Sequence, residues 1–279
     1  MLMSSETQLT VSQLVVYPIK SCAGIEVERL EFDEVGPLHD RRYMVVNPDG
    51  RFLTQRQLPV MARIIPELTE TGITLTLSGQ TALPACAVQQ PEHGSWSEAQ
   101  VWKDSVQGLD CGEEVAQWLE QVLGRSARLL YLPNDVIRSV DPDYADPGDR
   151  VGFADGFPLL VTHQASADFL SGKLGRPLNM LRFRPNVVVS GGEAFDELNW
   201  QVLQCAENAT GSISSLQLVK PCTRCVIPLR DLETLEREAD VTEVLKEHCR
   251  TGKEIIFGQN ALPRQLESIQ LGSRWTALP

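Results

Sequence analysis

Gly72-Ile73-Thr74-Leu75-Thr76-Leu77-Ser78-Gly79 alternates apolar and polar side chains between two glycines. A repeat of two puts Ile73, Leu75 and Leu77 on one face and Thr74, Thr76 and Ser78 on the other. The glycines supply the turns at either end. The segment reads as a half-buried β-strand. On its N-terminal side, Leu9 to Tyr17, Ile25 to Phe32 and Tyr43 to Val46 are further β-rich runs, the last closed by Asn47-Pro48-Asp49-Gly50. No helical pattern precedes Gly112. Short strands at this spacing predict a small β-barrel or sandwich.

The first helical pattern runs from about Gly112 to Leu123, where Val115, Trp118, Leu119, Val122 and Leu123 share one face and Gly124 ends it. Pro133 to Arg150 is polar and rich in Asp and Pro, and reads as a long loop or linker. Beyond it are a strand at Pro158 to Val161, a helix from Gln164 to Leu174 stopped by Gly175, and strands at Asn186 to Ser190 and Ser215 to Val219. Asp240 and Glu243 form a capping-box pattern for a helix of roughly ten residues. Ile255 to Phe257 and Ile269 to Leu271 close the chain as β-like runs. The fold class is mainly β (α+β), with a few helices.

Over 279 residues, 42% hydrophobic and 22% charged side chains are enough for a proper core, in two domains or one large one. The net charge of −12 argues against a general binder of nucleic acid or of anionic membranes. An anionic ligand then has to be held by a local basic cluster. The N-terminus shows no basic and apolar leader pattern, and no apolar run approaches the length of a membrane span. Seven cysteines, an odd number, fit reduced thiols and a cytoplasmic setting.

The chemistry concentrates in Lys220 to Pro228, K-P-C-T-R-C-V-I-P. Pro221 and Pro228 are expected to keep this segment out of a ladder or a helix. Arg224 precedes Cys225, and a cation beside a thiol favours the thiolate, a soft-metal ligand or nucleophile. Cys222 and Cys225 allow four readings: part of a zinc site with Cys205, His248 or Cys249, a redox dithiol, two structural thiols, or one thiolate on a cofactor metal. Against zinc, His248 falls on an apolar face with Val241, Val244 and Leu245. Against a thioredoxin-type dithiol, Val-Ile-Pro follows where a helix is needed. A Cys225 pairing with His163 or His248 has no local signature. Asp141, Asp143, Asp146 and Asp149 lack the EF-hand glutamate and read as a solvated acidic loop. Lys20, Arg41, Arg42, Arg56, Arg182 and Arg184 sit in or beside turn-like stretches, and together with Arg224 they form a candidate cradle for a phosphate-like anion. No Gly-rich nucleotide motif is present.

In order along the chain stand Y-P-I-K-S-C-A-G-I, L-H-D-R-R-Y-M-V-V, F-L-T-Q-R-Q, V-W-K-D-S-V-Q-G-L-D-C-G, F-A-D-G-F-P-L-L-V, F-R-P-N-V-V-V-S-G, P-C-T-R-C and F-G-Q-N. The ordered set resembles the MOSC-domain family, in the branch that carries an N-terminal β-barrel domain and includes the mitochondrial amidoxime-reducing components and bacterial relatives. The resemblance implies a MOSC N-terminal β-barrel domain over residues 1–125 and a MOSC β-barrel domain over 126–279, with a molybdenum cofactor between them. It implies Cys225 as the metal ligand and catalytic thiolate. Lys20, Ser21, Arg41, Arg184, Asn186 and Arg224 fall where the family holds the pterin and its phosphate, and Arg56, Asp155 and Arg182 match less closely. The implied reaction is reduction of N-hydroxylated bases or amidoximes by molybdenum. The chain lacks the C-x4-C-x2-C ferredoxin spacing of some relatives, so electrons are expected from a separate donor of the ferredoxin or flavin-reductase type. Val226 to Thr234 departs from the T-T-V-D-P-x-T-G of the reductase branch, which leaves the substrate open. The competing classes are a carrier of sulfur or cofactor and a structural β protein.

Overall fold

The computed structural model describes residues 6–205 and 213–279. Seven strands close a barrel, in the order Leu159–His163, Val187–Ser190, Thr7–Val16, Arg274–Leu278, Val202–Cys205, Ser215–Thr223 and Glu254–Arg264, the last pairing back with the first. All neighbours are antiparallel except Leu159–His163 with Val187–Ser190. That parallel pair needs a crossover, which helix α2, Gln164–Leu174, provides. Inward-facing Leu9, Val11, Leu159, Val161, Leu203, Leu216, Ala261, Trp275 and Ala277 fill the barrel. The first strand of the sequence is therefore a stave of a barrel otherwise built from residues beyond 158.

Of the remaining N-terminal strands, Arg29–Asp33 and Gly36–Pro37 form a small sheet with Ser268–Gln270, and most of the others form two further sheets. One runs Tyr43–Val46, Arg128–Tyr131, Asp104–Asp110, Trp96–Val101, and the other Ile64–Thr69, Gly72–Leu77, Cys86–Gln89. Ile73 and Leu75 are buried as the alternation requires, and pack with Val115, Trp118 and Leu119 of helix α1, Glu113–Leu123. Gly124 closes α1 in the left-handed region at φ 66°, where a residue without Cβ avoids a clash. Gly175 ends α2 in the same way. The third helix, α3, spans Ala239–His248. Among the described residues no helix is long and apolar enough to cross a membrane.

Four local expectations change. Ile25 to Phe32 is split into Ile25–Glu26 and Arg29–Asp33. The capping box is not formed: α3 starts one residue before Asp240, whose carboxylate accepts from its neighbour Val241 N–H and from Arg176. The acidic loop is only partly solvated, since Asp149 takes both Nη groups of Arg264 at 2.7 and 2.8 Å. The ladder also runs on through Pro221. The Ser215–Thr223 strand passes it with register shifts on both sides, which is how a strand accommodates a residue lacking an N–H.

Candidate functional site

Tyr17–Ser21 leaves the end of the first barrel strand and is pinned to residues 41–43. Arg41 N–H donates to Tyr17 O at 2.7 Å, Tyr43 N–H to Pro18 O at 3.0 Å, and Lys20 N–H to Tyr43 O at 2.8 Å. Asp40 is the hub. Its Oδ1 accepts from Tyr17 N–H, Arg41 Nη1 and Asn186 Nδ2 at 2.8, 2.8 and 2.9 Å. Asn186 also donates to Val15 O and accepts from Arg41 and Leu160 N–H. Its amide is saturated, so it works by holding Arg41.

Arg41 and Arg184 converge on one aromatic ring, their guanidinium carbons 4.3 and 4.2 Å from the Tyr17 centroid. Stacking on a buried ring offsets part of the repulsion between two cations. Burial, reinforced by the Arg41 charge, lowers the Arg184 guanidinium to about 10. Burial pushes the Tyr17 phenol up to about 12. Arg184 Nη1 donates to Cys22 O at 2.6 Å, whereas its Nη2 is buried without an acceptor among the described residues. A buried donor of this kind asks for an anionic oxygen.

Ser21, Arg41 and Arg184 all have left-handed backbones, at φ 67°, 46° and 57°. Each such residue costs roughly 1–2 kcal/mol, and hydrogen bonds to charged groups return about 1.5–3 kcal/mol each. The network around Arg41 and Arg184 therefore suffices to hold them. Strain concentrated on residues that face a cleft is a mark of function.

Lys20 is buried, with Nζ on Phe153 O at 2.7 Å and Asp155 Oδ1 at 2.5 Å. Burial lowers its pKa. Asp155 has the opposite balance: burial raises its carboxyl, but Lys20 and then Trp102 and Arg56 outweigh this and hold it well below the usual range.

The thiol segment lines the same cleft. Arg224 commits its guanidinium to backbone carbonyls, with Nε on Phe257 O at 2.8 Å and Nη1 on Phe183 O at 2.9 Å. Those two rings stack with centroids 3.9 Å apart. The neighbouring Gly258 is required, since a Cβ there would lie 2.6 Å from Val161 O. Arg224 thus clamps the loop to the Glu254–Arg264 strand. Cys225 emerges exposed, its Sγ accepting from Ile227 N–H at 3.5 Å.

One cleft is lined by Lys20, Ser21, Arg41, Arg184, Asn186, Arg224 and Cys225, residues spread over some two hundred positions of sequence. Arg56, Asp155, Arg182 and Cys222 share it. Its empty volume, counting the open mouth, is about 850 Å³, the size of a small-molecule or cofactor site. Arg42 is elsewhere, tied to Asp33 and Leu132 O. Of the thiol readings, zinc fails because no three His, Cys, Asp or Glu side chains cluster among the described residues. The thioredoxin reading fails because Cys222 lies in a strand. Two core thiols are excluded by the exposure of Cys225. His163 packs on Trp200 and His248 on Phe169, and neither lines the cleft. Tyr17, Asp40 and Trp102 were not singled out by sequence. Their roles follow from contacts across the fold, for which only the surrounding motifs gave a signal.

Residues 8–126 match the family description "MOSC N-terminal beta barrel domain" and residues 148–274 match "MOSC domain". Mitochondrial amidoxime-reducing component 1 of Mus musculus is 33% identical over 262 residues, covering 90% of this chain and 75% of that protein. The chain belongs to the MOSC-domain family. The Homo sapiens amidoxime-reducing component 1 is 30% identical over 265 residues, covering 91% of this MOSC chain and 76% of the human one. The molybdenum cofactor sulfurase of Danio rerio is 31% identical over 270 residues, which cover 89% of this chain and 31% of that protein. The MOSC relatives thus include both a reductase component and a sulfurase.

Proposed function

We propose that this MOSC protein is a molybdenum-cofactor-binding oxidoreductase that reduces N-hydroxylated bases or amidoximes with electrons from a separate donor protein. One observation carries the reading: an exposed thiol and a cation cradle, with a buried Arg184 donor that has no acceptor among the described residues, line one cleft. That donor set fits a group with a soft metal at one end and an anionic tail at the other. Cys225 supplies the single thiolate to the metal. Lys20, Ser21, Arg41 and Arg184 hold the pterin and its phosphate, Asn186 orients Arg41, and Arg224 sets the thiol loop. When bound, the cofactor supplies two-electron removal of oxygen from the N-hydroxy group. The chain's own task is to bind, orient and admit the substrate past Ile227 and Pro228, which line the cleft. Seven unpaired cysteines fit a reducing cytoplasm.

The sulfurase relative favours a second reading, a carrier of sulfur or cofactor without turnover. The test is amine formation from benzamidoxime and hydroxylaminopurine with a chemically reduced dye, comparing wild type with Cys225→Ala. Turnover by the wild type alone is expected. A fully metallated wild type inactive on every N-hydroxy compound tried would move the assignment to the carrier.

A further inference from the structure

Beside the cleft lies a second concavity lined by Arg51, Phe52, Thr54, Arg56, Gln57, Gln100 and Trp102, and Thr54 and Arg56 line both. Its most unusual member is Trp102. The residue is 46% exposed, among few large apolar residues left in solvent. It occupies the two-residue turn between the Trp96–Val101 and Asp104–Asp110 strands at φ 56°, a place that glycine or asparagine ordinarily fills. A bulky aromatic kept in that conformation and exposed needs a reason beyond folding.

The ring is also held in a defined pose. Its Nε1–H donates to Asp155 Oδ1 at 3.1 Å, the oxygen that takes Lys20 from inside the cleft. Phe52 meets it edge to face with centroids 5.2 Å apart. The Arg56 guanidinium lies 4.6 Å from its ring centroid and reaches Asp155 Oδ2 at 3.7 Å. One carboxylate thus serves two cations, and Arg51, exposed on the same rim, makes no ion pair among the described residues. The rim carries an excess of positive charge around a preset aromatic surface.

We propose that Trp102, with Phe52, Arg51 and Arg56, is a substrate subsite that selects planar aromatic N-hydroxy compounds carrying an acidic group. The ring system stacks on Trp102 and the acidic group meets the arginines. The catalytic part of this inference rests on the reductase reading, whereas the binding part does not.

The experiment uses three probes: carboxybenzamidoxime, benzamidoxime and acetamidoxime. Tryptophan fluorescence quenching reads binding without turnover, and KM and kcat are read separately with reduced dye. In the wild type, carboxybenzamidoxime should bind most tightly and acetamidoxime least. Trp102→Ala should raise KM for both aryl probes by at least about fivefold, the low end of what aromatic stacking contributes, and leave acetamidoxime unchanged. Trp102→Phe should recover most of the aryl preference. Arg51→Gln should erase only the advantage of the carboxylated probe. Equal KM changes on all three probes, or no aryl preference in the wild type, would overturn the subsite. So would loss of cofactor from Trp102→Ala, which would place the ring against the cofactor instead. Aryl quenching with no turnover would refute the reductase reading and leave the subsite standing.

Discussion

At the scale of single residues, cation placement and burial set the behaviour of the cleft. Arg41→Ala or Arg184→Ala should weaken cofactor retention without removing the metal ligand. Truncating one partner of a desolvated charge pair costs about 2–5 kcal/mol. Gel filtration followed by pterin fluorescence measures it, and unchanged retention in both would remove the arginines from the cradle. A second prediction concerns Glu197, fully buried with Ser166 Oγ donating at 2.8 Å and His163 Nδ1 lying 3.8 Å away, beyond hydrogen-bond reach. Burial, only partly opposed by that hydrogen bond, raises its carboxyl from 4.5 to about 7. Because the folded state holds this proton more tightly than the unfolded one, stability should fall as pH rises from about 4.5 through 7. The loss is on the order of 3 kcal/mol. Burial lowers the His163 pKa, so its own effect runs the other way, with stability lost as pH falls below its unfolded value. Glu197→Gln should flatten the first slope in chemical denaturation at several pH values, and an unchanged slope would contradict it. The charge types of the cleft were legible in sequence, and the family motifs pointed to their positions. The left-handed backbones of Ser21, Arg41 and Arg184 were not, because strain arises from the surrounding packing and these residue types do not announce it. Trp102 was hidden for the same reason.

At the scale of elements, Asp231 is a hub of the loop after Cys225, alongside Arg230 Nη1 on Leu235 O and Arg63 on Glu233 O. Asp231 accepts from Glu233 N–H and Thr234 N–H at 2.9 and 2.8 Å and from Arg182 Nη2 at 2.8 Å. These backbone bonds first, then Arg182, hold its carboxyl below the usual range. Asp231→Ala should speed amide exchange over residues 226–238 while leaving the barrel strands protected. Uniform protection in both proteins would show the loop to be held otherwise. Helices α1 and α2 were legible almost to the residue because apolar spacing and a closing glycine agree. The ladder through Pro221 was not, because a bulge that absorbs proline depends on the partner strand. The same dependence hid the pairing of strands outside the alternating runs, including Val202–Cys205 and Arg274–Leu278.

At the scale of the whole molecule, sequence order and spatial order diverge. Thr7–Val16 sits between Val187–Ser190 and Arg274–Leu278 and completes a barrel built by the other end of the chain. Deleting residues 1–16 should therefore prevent that barrel from closing, with loss of cooperative unfolding by circular dichroism, although the deletion lies far from it in sequence. A cooperative transition at wild-type temperature would contradict this. The mainly β class was legible from alternation alone, but closure was not, since it rests on pairings across the full length of the chain. Closure brings the two cleft walls together, one from residues 20–56 and the other from 154–260. That meeting puts cations from both walls and the exposed Cys225 thiol in one cleft. The most direct test is molybdenum per chain, by elemental analysis of wild type, Cys225→Ala and Cys222→Ala purified from a cofactor-competent host. The account predicts metal in the wild type, most of it kept in Cys222→Ala, and none in a folded Cys225→Ala. Equal loss in the two variants, or a wild type without molybdenum, would contradict it.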